Sequence, residues 1–325
     1  MGHQRAHVHG NRVRGRRRGR VRLTAIHQSA AVSSGGHRGV GYYARGGRAG
    51  LPERGCSGAR GVTAPRFLLS HHLHACGIRH AFTTRTGGYS RGAYASLNLG
   101  RGVDDDPEAV ARNRALVLNM LGLAGAHEVE AAQVHGAVVA VVGQAEAGRI
   151  IEGADGLVTA EPGVVLAVHA ADCVPLLLAD PRRHVVAAVH AGWRGTAAGI
   201  GLEAVTVMAD RFDCRPEDLR IAIGPCIGPC HYEVDEPVMA RLRGWRWWED
   251  VAARNARGRW QLDLRDANRR QLVDAGVPAE QVETLDWCTF EHPELFYSYR
   301  RDGVTGRVAA IVALGPPAGG HPHAC

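Results

Sequence analysis

The chain of 325 residues contains no lysine, so all 39 of its lysine-plus-arginine positions are arginine. That absence excludes Schiff-base chemistry on a lysine amine and the phosphate-reaching lysine of a P-loop. Long apolar runs are also missing, and nothing approaches the length that spans a bilayer, so an integral membrane protein is not expected. The N-terminal stretch carries charge but has no continuous apolar segment and no small-residue cleavage site, so it does not read as a secretory signal. Eight cysteines in a chain of this length, without such a signal, fit a reducing, cytoplasmic setting better than a disulfide scaffold. There is no repeat of fixed period, which excludes solenoids and propellers.

Acidic residues are scarce at the start. Residues 1–65 hold thirteen Arg and one Glu, a local balance of +12 within a formal total of +7, which leaves −5 for the remainder. This segment, dominated by Gly, Arg, His and Ala, cannot bury enough apolar surface to offset its ordering entropy and is expected to be a disordered tail. An RNA-binding arm is the one nucleic-acid role open to it. The mildly acidic body, residues 66–315, is expected to form one domain and gives no reason to place nucleic acid in its cleft. Residues 316–325 read as a flexible Pro-Gly tail.

What is present is a set of short runs rich in Val and Leu. Residues 164–168, 174–179 and 185–189 are bounded by turn signals and read as buried strands. Asp106 as N-cap and Pro107 at the first helical position predict a helix reaching about Leu121. Apolar spacing predicts further helices over 196–211 and 264–275. Residues 296–301 and 307–314 are expected to pair as a hairpin through Asp302-Gly303. The tryptophans at 245, 247 and 248 are expected to plug a gap between layers.

Cys173 and His190 fall where predicted strands meet loops, and with His135 they supply three soft or borderline ligands. Such a set suits zinc and can take copper, and three protein ligands leave a position open for water. Without metal, His190 or His135 could withdraw the proton of Cys173 and make it a nucleophile. The long gaps between the three residues leave both readings open. Asp172 could orient an imidazole, exchange a proton with substrate, or cap a turn. Cys226, Cys230 and His231 look like a second cluster, but their spacing matches no zinc knuckle and no metal is expected there. The paired histidines His7/His9, His72/His74 and His321/His323 are not expected to hold copper, which needs ligands on a packed frame. Arg85, before Gly87-Gly88, could hold an anion.

In order along the chain stand Phe82-Thr83-Thr84-Arg85 with Gly87-Gly88, Ser96-Leu97-Asn98-Leu99-Gly100, Gln133-Val134-His135-Gly136 and Ala154-Asp155-Gly156. Ala171-Asp172-Cys173-Val174-Pro175, His190-Ala191-Gly192-Trp193-Arg194-Gly195, Ile223-Gly224-Pro225, Cys288-Thr289 and Ser298-Tyr299-Arg300-Arg301 with Thr305-Gly306-Arg307 follow. Together they resemble the YfiH or laccase-domain family from about Phe67 to Leu314. The resemblance implies a single-domain, four-layer α/β/β/α fold of mixed β-sheets, similar to the catalytic domain of cytotoxic necrotizing factor toxins. It implies an enzyme acting on purine nucleosides: zinc-dependent phosphorolysis of adenosine, inosine, guanosine and S-methyl-5′-thioadenosine, and deamination of adenosine. His135, Cys173 and His190 would bind the zinc, with copper as an alternative metal, and Asp172 would join them in catalysis. Arg85, Asn98, Gln133 and Arg194 would contact substrate or phosphate, in a monomer or homodimer. A copper polyphenol oxidase and a metal-free Cys-His hydrolase are the competing readings. Ala170 stands where the family often has Thr, and Tyr297 where a second Phe is usual.

Overall fold

The structure is a computed structural model that describes residues 42–45 and 65–315. The rest of both expected tails lies outside the described residues, as do the histidine pairs His7/His9 and His321/His323. Two mixed sheets lie back to back. The first orders its strands Tyr42–Arg45, Arg66–Leu69, Arg79–Thr83, Val308–Ala313, Val164–Ala170, His127–Ala131 and Ile150–Ile151. Its pairings are antiparallel as far as Val164–Ala170 and parallel beyond it. The second runs Val282–Thr284, Arg220–Ile223, Val174–Asp180, Val185–Ala191, Gly156–Thr159 and Val139–Val141, parallel only at its two edges.

The near-continuous apolar runs follow from burial on both faces. In Val185–Ala191, Val185, Ala187 and Val189 face the outer helices while Val186 and Ala188 face the other sheet. Val164, Leu166 and Val168 meet them in the middle, and Val165 and Ala167 point outward. Helix Pro107–Met120 covers the first sheet through Val117. Helices Ile200–Phe212 and Leu264–Asp274 cover the second through Ile200, Ala204, Met208, Ala267 and Leu272. These are the four layers α/β/β/α. The helix at Pro107 starts as its signals dictate, with the Asp106 side chain accepting from the Glu108 amide at 3.0 Å.

Several expectations are corrected. The helix over 196–211 is two helices, Trp193–Ala198 and Ile200–Phe212, broken at Gly199, whose φ of +85° ends one and begins the other. The hairpin at Asp302-Gly303 does not form. Tyr299–Asp302 is a helical turn capped by Ser298, and Val308–Ala313 instead fills the gap between Arg79–Thr83 and Val164–Ala170. A hairpin partner would have carried Arg300 and Arg301 into the buried centre of that sheet, whereas Arg301 is used to hold the carbonyls of Thr289, Phe290 and Phe296. Within the segment expected to be disordered, Tyr42–Arg45 pairs antiparallel with Arg66–Leu69, extending a sheet edge that offers unpaired backbone groups. The tryptophans do plug a gap: Trp247 is buried and stacks on Trp245 with ring centroids 5.3 Å apart.

Candidate metal centre

The chain passes from the first sheet to the second through residues 171–173, between Val164–Ala170 and Val174–Asp180. Cys173 stands at that crossing. His190 pairs with Pro175 near the end of the neighbouring strand, and His135 lies on the loop after His127–Ala131. Gln133, His135 and Asp172 all adopt positive φ, at 60°, 62° and 97°, a cost that marks a loop held in place by its surroundings. The result brings one donor atom each from His135, Cys173 and His190 within 4.8 Å of one another. Cys173 Sγ is 3.9 Å from His135 Nε2, and the two imidazoles meet edge to face with centroids 4.9 Å apart. Gly192 makes room for this convergence, because a Cβ there would lie 2.8 Å from His135 Cδ2 and 3.2 Å from Cys173 Sγ.

Behind the cluster lies Asp155, a fully buried carboxylate. Its Oδ1 accepts from the His135 amide at 2.9 Å and from His190 Nδ1 at 2.9 Å, and its Oδ2 accepts from the Gly136 amide at 2.7 Å. The His190 amide donates to the Asp155 carbonyl at 2.7 Å. One side chain thus fixes both histidines and, by engaging Nδ1 of His190, leaves Nε2 as that ring's donor toward Cys173. A carboxylate behind a histidine in this way orients and enriches a metal ligand.

The electrostatics agree. Burial opposes a thiolate at Cys173, but the charge of His190 and hydrogen bonds from His135 and His190 outweigh it and bring the thiol down to about 6. Burial likewise opposes an imidazolium at His190, yet the Cys173 charge and the Asp155 hydrogen bond raise it to about 9. In the metal-free chain this is a thiolate–imidazolium pair, and an ion that displaced the His190 proton would meet an anionic sulfur and two oriented nitrogens, the donor chemistry zinc prefers.

The three donors open onto a cavity of about 480 Å³, within the range of small-molecule sites. Its wall carries Arg101, Arg307, Glu130, His169, Ile150 and Tyr299, with the small side chains of Ala131, Ala132, Ala170 and Ala171 between them. Arg307 donates to the carbonyls of Thr305 and Gly306, which fixes its guanidinium, and burial lowers its pKa. Beneath the wall, Arg114 is paired with Glu128 and Glu130, each at 2.6 Å. Burial, with the charge of Arg114, holds His169 well below its usual range, so its ring is neutral. Arg114 Nη1 can only donate to His169 Nε2, at 3.2 Å, which puts the ring proton on Nδ1, 3.6 Å from Glu130 Oε2.

Four expected substrate contacts are placed elsewhere or used otherwise. Arg85 turns back to the carbonyls of Ala95 and Pro293 and lies over the Tyr297 ring, away from the cavity. Arg194 is exposed and stacks on Trp193. Asn98 is fully buried, exchanging hydrogen bonds with Gly100, Asp105 and the Arg307 amide. Gln133 reaches the cavity wall, but its amide is tied to both backbone groups of His169, at 2.6 and 2.7 Å. Asp172 accepts from Thr289 Oγ1 at 2.6 Å and the Arg300 amide at 2.7 Å, so its carboxylate clamps the Cys173 loop. Asp155, Arg101 and Arg307 were not singled out by sequence. Asp155 and Arg307 sit inside the words Ala154-Asp155-Gly156 and Thr305-Gly306-Arg307, where an Asp before Gly reads as a turn and an Arg after Gly as solvent-facing. The Tyr297 hydroxyl, present where Phe is usual, donates to the Tyr94 carbonyl at 2.6 Å.

Residues 79–315 match the family described as multi-copper polyphenol oxidoreductase laccase. The chain is 47% identical over 254 residues to a protein of Deinococcus radiodurans named purine nucleoside phosphorylase, covering 78% of this chain and 95% of that one. It is 40% identical over 247 residues to the purine nucleoside phosphorylase YlmD of Geobacillus stearothermophilus, covering 71% and 88%. The crystal structure of YlmD from Geobacillus stearothermophilus superposes with a TM-score of 0.74 at 37% identity, covering 80% of this chain and 98% of that one. The Bacillus licheniformis hypothetical protein YfiH gives the same TM-score at 35% identity, covering 78% and 98%.

Proposed function

The chain belongs to the multi-copper polyphenol oxidoreductase laccase family, and from that premise we propose that it is a zinc-dependent purine nucleoside phosphorylase that also deaminates adenosine. The observation that carries this reading is the convergence of His135, Cys173 and His190 on a cavity whose wall also presents Arg101 and Arg307. An electrophilic centre beside a cationic wall suits a reaction between a nucleoside and an inorganic anion. The relatives' names supply the substrate class.

The donor set fits the metal: His135 Nε2, Cys173 Sγ and the His190 nitrogen left free by Asp155 would hold it, and a fourth position would face the cavity. A zinc ion there supplies a Lewis acid that polarises oxygen and acidifies water. The chain itself performs the remaining tasks. Arg307, held by its own loop, and Arg101, 3.4 Å from Glu130, present guanidinium groups to a bound phosphate. Small alanines leave space for a flat base, and Tyr299 and Ile150 provide apolar surface at the rim. Asp155 keeps the His190 ring oriented toward Cys173.

Purified protein incubated with inosine or adenosine, with and without phosphate, tests the proposal by product chromatography. Free base and ribose 1-phosphate should appear only with phosphate, and inosine should appear from adenosine. Cys173→Ser should remove every product while leaving the circular dichroism spectrum unchanged. Full turnover by that variant would remove the thiolate from the site's chemistry.

A further inference from the structure

A second group of donors lies outside the cavity. His231 Nδ1 is 3.4 Å from Glu291 Oε1 and 3.8 Å from Cys288 Sγ, and all three donor atoms lie within 4.8 Å of one another. Two acceptors converge on one ring nitrogen, which carries at most one proton and so can serve only one of them. The 3.4 Å separation from oxygen exceeds an ordinary N–H···O bond, and the 3.8 Å separation from sulfur is a long contact for a ring nitrogen. They lie close to the spacing of donors that share one ion: bonds of about 2.0–2.3 Å at tetrahedral angles put neighbouring donors about 3.3–3.7 Å apart, against 3.4 Å here between nitrogen and oxygen and 3.8 Å between nitrogen and sulfur.

The frame around the three is built. Cys288 is buried, bridged through its backbone to Cys226, and its sulfur accepts from the Gly228 amide at 3.2 Å, which fixes its position. Arg265, ion-paired with Asp286, adds positive charge beside that sulfur. His231 is fixed by stacking on Phe290, centroids 4.4 Å apart and 16° from parallel. Glu291 is exposed, which leaves the cluster open to solvent on one side. The same two loops hold the Asp172 clamp: the Thr289 hydroxyl donates to its carboxylate and the Ile227 amide to its carbonyl, at 2.6 and 3.0 Å.

We propose that His231, Cys288 and Glu291 form a second zinc site, which ties the loop carrying His231 to the loop carrying Cys288 and Glu291, and so supports the Asp172-Cys173 crossing from behind. On binding, Cys288 releases its thiol proton to solvent and the ion takes one nitrogen, one sulfur and one oxygen donor, with water completing the shell. The inference stands apart from the proposed reaction, because it concerns metal held on the surface and not turnover.

Elemental analysis of the full chain, loaded with zinc and desalted, should give two zinc per chain. His231→Ala, a half-exposed position, should reduce this to one, as should Cys173→Ser, and the double variant should hold none. In the Cys173→Ser background, saturating zinc should raise the melting temperature by roughly 5 °C, and His231→Ala should abolish the rise. One zinc in the parent chain that is lost with Cys173→Ser overturns the second site. Two zinc retained after His231→Ala overturns it as well. A stoichiometry unmoved by Cys173→Ser but lowered by His231→Ala would instead sink the first centre and leave the second standing.

Discussion

The cluster of His135, Cys173 and His190 rests on a buried carboxylate and looks into a cavity, whereas that of His231, Cys288 and Glu291 draws its own carboxylate from the surface and faces solvent. Both place thiol and imidazole at similar separations, 3.9 and 3.8 Å. The difference lies in what surrounds them. In the first, the carboxylate is spent on orientation and the thiol is tuned toward thiolate, which suits a site that must act on something. In the second, the carboxylate is itself a donor and stands exposed to solvent, which suits a staple.

The largest contrast should be chemical. In protein stripped of metal by a chelator, iodoacetamide at pH 7 should modify Cys173 at least ~10³-fold faster than Cys226, which stands behind the second cluster and is pushed up to about 12 by burial. The Cys173 rate should rise through pH of about 6, and mass spectrometry of the peptides reads both; equal labelling would erase the distinction. Next comes stability. Asp155→Ala leaves three donors facing a gap and should cost about 3–5 kcal/mol in urea denaturation, while Glu291→Ala in metal-free protein should stay within about 0.5 kcal/mol.

Function should follow the same division. Arg307→Met should raise the phosphate KM about 10- to 100-fold, the loss of a charge-assisted contact, whereas Arg194→Met should leave it unchanged. A phosphate KM that responds to Arg194 alone would move the anion site out of the cavity. The smallest effect is steric. Gly192→Ala drives a methyl to 2.8 Å from His135 and should weaken zinc binding at the first centre about tenfold, measured by competition with a chromogenic chelator. Gly228→Ala, whose methyl would meet Cys288 at 3.3 Å, should shift the second by less.

The elements legible in the sequence were those whose signals are local. Asp106-Pro107 announced its helix because a cap acts on the next three amides, and the three Val-Leu runs announced strands because burial on both faces leaves no room for polar residues. Gly199 was overlooked because the apolar period continues across it. The hairpin at Asp302-Gly303 failed for the opposite reason: a good turn pair was present, but strand pairing is settled by distant partners, and Val308–Ala313 found two better ones. The candidate ligands were legible by residue type. The arginines were not, because Arg85, two residues before Gly87, and Arg307, directly after Gly306, both read as arginines on Gly-containing loops, and only the fold turns one into the framework and the other toward the cavity.

By itself, then, the order of residues determined the chemistry on offer: a chain without lysine, with cysteine and histidine at strand ends, and family words that run from Phe82 to Arg307. Tertiary structure alone decided which of those groups meet. Asp155 became the hub because three donors from two separate segments close on one buried carboxylate, and Asp172 became a clamp because Thr289 and Arg300 reach it from more than a hundred residues away. A side chain's role is set by the partners that satisfy it once water is gone, and those partners are chosen by packing in three dimensions, which no local pattern encodes.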